Sequence, residues 1–170
     1  MNEYNFITAS PTLDAYWRAI ILFGRNTASY KFALAKSLLD LASEEKTIVT
    51  LDELAIPFSQ HIVDHLQKSD RQGNFQSSRF LDACRHFNQG ELSEDQLHAQ
   101  TVELGFVNVI DAFHRLNQAE IPVQFYVDER KTRGGITVTD ELLSLKNTLQ
   151  SVNFPLEIEA RWRRLKPHGP

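Results

Sequence analysis

Cysteine is almost missing from this sequence: Cys84 is the only one in 170 residues. A single thiol excludes an internal disulfide and any zinc site built on several cysteines. Glycine and proline are scarce as well, at seven and six, which excludes collagen-like and proline-rich chains. No run reaches the roughly 18 apolar residues that a membrane span requires. The start, Met1-Asn2-Glu3-Tyr4-Asn5, lacks the basic residues that open a signal peptide. The expected location is therefore the cytoplasm, without membrane contact, and one cysteine agrees with a reducing compartment. A surplus of positive charge is also lacking. Lys and Arg total 18 against 22 Asp and Glu, a net charge of −4. Contact with nucleic acid would need a local basic surface, because the field of the whole protein has the wrong sign.

What is present is the composition of a soluble globular protein, 42% hydrophobic and 24% charged, in a length suited to one core. Leu13 to Phe23 is apolar nearly all round and reads as a buried helix ended by Gly24. A second helix, capped by Asn26 or Thr27, carries Tyr30, Phe32, Leu34, Leu38, Leu39 and Leu41, and the two are expected to form a central helical hairpin. Thr47 to Val49 reads as a very short strand. Thr50 with Glu53 has capping-box spacing for a helix opening at Leu51, and Pro57 restarts the chain into a segment with Phe58, Ile62 and Leu66. After a polar loop, Phe80, Leu81, Cys84 and Phe87 share one side of a helix closed by Asn88 and Gly90. Ser93 and Gln96 form another capping box, and Phe106, Val109, Ile110 and Phe113 have the i, i+3, i+4, i+7 spacing of an amphipathic helix. The period then changes. Val123 to Val127 and Ile136 to Val138 read as a hairpin joined by Glu129 to Gly135, followed by helices at Asp140 to Leu149 and Leu156 to Leu165. The expected architecture is mainly α, a single helical domain over 13–166 with one small β-hairpin near 123–138, an N-terminal extension 1–12 and a tail 167–170.

Several residue pairs invite a chemical reading. His61 and His65, four apart on a helix, could face one metal ion with Asp64 beside them, but the Glu that follows the first His in zinc-protease helices is replaced by Ile62. Asp111 with His114, and Asp82 with His86, have the spacing to orient an imidazole as a general base. Neither pair has a nucleophile at a fixed distance, so surface ion pairs are the plainer reading. Cys84 reads as a small buried hydrophobe. The expectation is no catalytic residue, no metal and no cofactor.

Basic residues carry more weight together. Arg25, Asn26, Ser29 and Lys31 surround the start of the second helix, where free backbone amides and the helix dipole favour an anion. Lys31 and Arg25 oppose that dipole, so the fold itself is expected to need neither cation. Arg71 and Arg79 repeat the theme at the helix after the polar loop. Arg130, Lys131 and Arg133 occupy the hairpin tip, and Arg163 and Arg164 lie with Arg161 and Lys166 near the C-terminus. Two or three of these clusters on one face would form a phosphate-tracking surface on an acidic protein.

The run Ala15-Tyr16-Trp17-Arg18-Ala19-Ile20-Ile21-Leu22-Phe23-Gly24-Arg25-Asn26-Thr27-Ala28-Ser29-Tyr30-Lys31-Phe32-Ala33-Leu34-Ala35-Lys36 resembles the opening of a family of bacterial HNH endonuclease proteins. Ser78 to Cys84, Gly105 to His114, Asp128-Glu129-Arg130 and Gly134-Gly135-Ile136 resemble it too, over most of the chain up to Arg161-Trp162-Arg163. In that family a Cys-x-x-Cys pair and the His-Asn-His constellation lie further on, whereas this sequence ends at Pro170 with neither. An HNH nuclease needs a histidine to activate water and a held divalent metal. What the resemblance implies is a non-catalytic N-terminal region, either a fragment of a longer nuclease or a short homologue without the nuclease part. The expected function is a DNA-associated accessory domain acting on double-stranded DNA in defence against foreign DNA. The alternative is a protein-interaction or regulatory module that docks a partner subunit or a missing nuclease domain.

Overall fold

Helices begin in this chain where a side chain can answer the free amides of the first turn. Thr50 Oγ1 accepts the Glu53 amide while the Glu53 carboxylate accepts the Thr50 amide. Ser93 and Gln96 make the same reciprocal pair, and Ser78 Oγ accepts the Leu81 amide. The computed structural model describes residues 12–23, 28–69, 78–117 and 119–164. Arg25, Asn26 and Arg71 fall outside these, as do the expected extension up to Pro11 and the tail 167–170.

The chain runs through α1 (Leu13–Phe23), α2 (Ala28–Ser43), β1 (Ile48–Thr50), α3 (Leu51–Ser69), α4 (Arg79–Asn88), α5 (Glu94–Gln100) and α6 (Val109–Ala112). It continues with β2 (Arg115–Leu116), β3 (Ala119–Glu120), β4 (Tyr126–Glu129), α7 (Arg130–Arg133), β5 (Gly135–Val138), α8 (Asp140–Lys146) and α9 (Phe154–Arg163). The fold is mainly α, as the periodicity requires. Phe32, Ala33, Leu34, Ala35, Leu38, Leu39, Leu41 and Ala42 are all buried, so α2 is enclosed on most sides and forms the centre of the core. Its broadest packing is against α3 and α9, whereas α1 lies on α8, α9 and β2. The central helical hairpin is therefore α2 with α3, and not the expected pair α1 and α2. Trp17 anchors α1 among Phe113, Phe125 and Phe154, with ring centroids 5.2–6.1 Å away.

The expected hairpin near 123–138 is present as β4 and β5, and β1 joins it to give an antiparallel sheet in the order β1-β5-β4. Val49 opposite Ile136 and Tyr126 opposite Val138 point into the core. The connection is more than a loop: Arg130–Arg133 makes one helical turn, closed by Gly134 at φ 70°, where a residue without Cβ is at ease. Leu51 at the start of α3 donates its amide to the Gly134 carbonyl.

Two expectations fail for physical reasons. The chain does not restart at Pro57, because α3 runs through it. Loss of one helical hydrogen bond costs about 3 kcal/mol, and burial of Leu54, Ala55, Phe58, Ile62 and Leu66 along the same helix outweighs it. The segment from Phe106 to Phe113 is not one amphipathic helix. A π-turn at Thr101–Gly105 continues α5, and only Val109–Ala112 is α-helical afterwards. All four apolar residues are nevertheless buried; the spacing identified the inward side chains but not the backbone that carries them.

Candidate nucleic-acid interface

The starts of α2 and α4 meet in a hydrogen bond between Tyr30 Oη and Ser78 Oγ at 2.8 Å. Burial raises the Tyr30 pKa, so the phenol is neutral at physiological pH. Helix α9 runs antiparallel to α2, held by the Lys36–Glu159 ion pair at 3.0 Å and by Trp162 against Phe32, 5.9 Å between centroids. A small cavity lined by Ser29, Ile62, His65, Leu66, Leu81 and Trp162 consequently touches α2, α3, α4 and α9 at once. Arg79 stands two residues before Leu81, and Arg163 and Arg164 directly follow Trp162; all three are exposed. Three of the basic clusters thus have described members at or beside this cavity in sequence: Ser29 lines it, and Arg79, Arg163 and Arg164 stand within two residues of Leu81 or Trp162. The cations at the close of α9 also suit its dipole.

Lys31 does not belong to that surface. It is 4% exposed, and its Nζ donates to the Arg115 carbonyl at 2.8 Å, because position 31 lies on the inward side of α2 beside β2. Burial without a carboxylate partner lowers its pKa. The expectation that Lys31 is open to a phosphate is corrected accordingly. The hairpin cluster stays apart as well. Gly134 sits at the first residue of α3, about 21 Å along that helix from His65. There Arg130 is held by Asp128 at 2.7 Å and Asp111 at 2.9 Å, and Arg133 lies 3.5 Å from Glu129. Lys131 is exposed. The two aspartates answer the Arg130 charge and raise its pKa, so its guanidinium is committed within the protein.

The histidine pairs of the sequence are taken by other partners. His61 Nε2 meets Asp40 on α2 at 2.8 Å, while His65 lies flat on Trp162, 4.0 Å between centroids and 13° between planes; the two imidazoles share no ligand position. His114 Nε2 accepts the Phe125 amide at 2.9 Å, and Asp111 pairs with Arg130 instead. His86 pairs with Glu91 at 2.6 Å and Asp82 with Arg85 at 3.2 Å. Burial holds His65 and His114 neutral, with pKa values lowered to about 4. Cys84 is fully buried and its thiol is pushed up to about 12, which removes its thiolate at ordinary pH. Among the described residues no three His, Cys, Asp or Glu side chains gather as metal ligands, and no helix is long and apolar enough to cross a membrane.

Sequence reasoning missed the Tyr30–Ser78 bond and the His65–Trp162 stack. Both join residues far apart in the chain, and neither has a periodic signal; that Tyr30 and Ser78 each open a helix is the one cue available beforehand. No protein-family model, no curated protein and no solved structure matches this chain.

Proposed function

We propose that this chain is a non-catalytic, DNA-associated accessory domain of an HNH-type endonuclease system, meeting duplex phosphates at the end where α2, α4 and α9 converge. One observation supports this reading: Ser29, Leu81 and Trp162 line the same cavity, and the exposed Arg79, Arg163 and Arg164 stand within two residues of Leu81 or Trp162 on an otherwise acidic protein. The residue resemblance to the N-terminal part of HNH endonuclease proteins supports the same assignment and supplies the nuclease and defence context. Phosphate contacts of this kind position a protein without reading bases. Binding is then weak, indifferent to sequence and steeply dependent on salt.

Fluorescence anisotropy with duplex DNA at low and physiological salt tests it. Replacing Arg79, Arg163 and Arg164 together by Ala should weaken binding and flatten the salt slope by about 0.9 for each phosphate that the protein no longer neutralises. Lys131→Ala with Arg133→Ala should leave both unchanged. Absence of binding at low salt, or equal losses from the two sets, would refute the assignment.

A further inference from the structure

The other end of α2 has the opposite electrical sign. A helix C-terminus is a partial negative pole and normally attracts Lys or Arg, yet α2 has no basic residue in its last turn. It carries Asp40 there instead, and Glu44 directly after the helix. Between this end and the first half of α3 lies a groove of about 680 Å³, whose lining includes Asp40, Glu44, Lys46, Glu53, Ile56 and Pro57. Its floor is apolar. Ile56, within a 19-residue helix, is 55% exposed, and Pro57 stands beside it.

The charges on the rim are unequal. Lys46 pairs with Glu53 and holds that carboxyl down to about 2, while Asp40 shares His61. Glu44 is exposed and has no ion pair among the described residues. Three carboxylates against one ammonium, at the negative pole of a helix, repel a polyanion. A wholly apolar occupant fits no better, since it would strip water from Asp40 and Glu44 without replacing it.

We propose that this groove docks a cationic amphipathic segment of a partner protein, with an aliphatic side chain against Ile56 and Pro57 and a Lys or Arg side chain reaching Asp40 and Glu44. Long cationic side chains suit such a place because their methylene stems cover apolar surface while the charged head stays at the rim. The site is independent of the DNA reading. Helix α2 has 16 residues and separates the two ends by about 24 Å.

The probes are two short helical peptides of one design, one with Lys and Leu and the other with Glu and Leu at the same positions, titrated into the isotope-labelled protein. The Lys/Leu peptide should bind saturably, shift the amides of 40–46 and 53–60, and weaken as salt rises, whereas the Glu/Leu peptide should not bind. Glu44→Lys with Ile56→Ser, both exposed positions, should weaken binding by about tenfold or more. Glu44→Gln alone, which changes charge and not shape, should weaken it by about threefold. The proposal falls if the Lys/Leu peptide shows no saturable binding, if the shifts map elsewhere, if both peptides bind equally, or if both variants bind like the parent. Light scattering that showed self-association abolished by Glu44→Lys would assign the groove to a second copy and overturn it equally.

Discussion

Gly135 on β5 passes so close to Val49 on β1 that a Cβ built on it would stand 1.9 Å from the Val49 carbonyl oxygen and 2.8 Å from Thr50 Cα. Both neighbours are backbone, so no rotamer change relieves the overlap. Gly135→Ala should cost at least about 1–3 kcal/mol and loosen β1 from the sheet. Gly90 provides the comparison: its φ is +79° with nothing within 4 Å of a built Cβ. Gly90→Ala should cost only the backbone term, about 1–2 kcal/mol. Urea unfolding gives both numbers, and amide exchange should rise at Val138, whose N–H reaches the Thr47 carbonyl, in the Gly135 variant only. Equal costs would mean that the strand approach does not constrain position 135.

Acid should unfold this protein through two buried imidazoles. His65 and His114 have folded pKa values lowered to about 4 from an ordinary 6.5. Between those values the unfolded chain takes up protons that the folded chain refuses. Stability contributed by the neutral rings is full above about pH 6.5, falls by up to about 1.4 kcal/mol per pH unit for each histidine as pH drops, and levels off below about pH 4. His65→Phe keeps an aromatic ring against Trp162 and removes one titration, so it should make the slope shallower. An unchanged slope in that variant would show that His65 is not protonated on unfolding.

The Lys31 ammonium, inside the protein with one carbonyl for company, should be replaceable. Its folded pKa lies below the ordinary 10.5, so the unfolded chain holds the proton more tightly. Stability should rise as pH climbs through the folded value and stop rising above about 10.5. Lys31→Met keeps the length of the stem and loses the charge. It should be neutral to about 2 kcal/mol stabilising and should abolish the alkaline gain, whereas Lys31→Ala leaves a void and costs about 2 kcal/mol. Unfolding of the Met variant would mean that the bond to Arg115 outweighs the cost of burying the amine.

Local signals were readable where the physics is local. The caps at Thr50 and Ser93, the β4–β5 hairpin and the burial of Phe106, Val109, Ile110 and Phe113 all follow from spacing within a few residues. What failed depends on distant parts of the chain. Pro57 reads as a break until the apolar face of its helix, with Leu54, Phe58 and Ile62, is set against α2. Lys31 reads as a surface cation until β2 arrives beside it. Of the candidate interface, Arg79, Arg163 and Arg164 were nameable as basic residues, but that Leu81 and Trp162 beside them line one cavity depends on α9 lying antiparallel to α2, and nothing local encodes that. The acidic groove was missed because its members belong to two helices, and each looks like an ordinary solvated end by itself.

The π-turn at Thr101–Gly105 is a helical turn holding one residue more than an α-helix would. Deleting a residue there would let the turn close to ordinary α geometry and leave everything beyond it close to its present direction, whereas inserting one would swing everything beyond it by about 100° around the helix axis. Phe106 would leave its place 4.8 Å from Phe58, although every core side chain remained in the sequence. In this stretch the number of residues is therefore a constraint in one direction: lengthening it is more damaging than removing the one residue that the turn holds in excess.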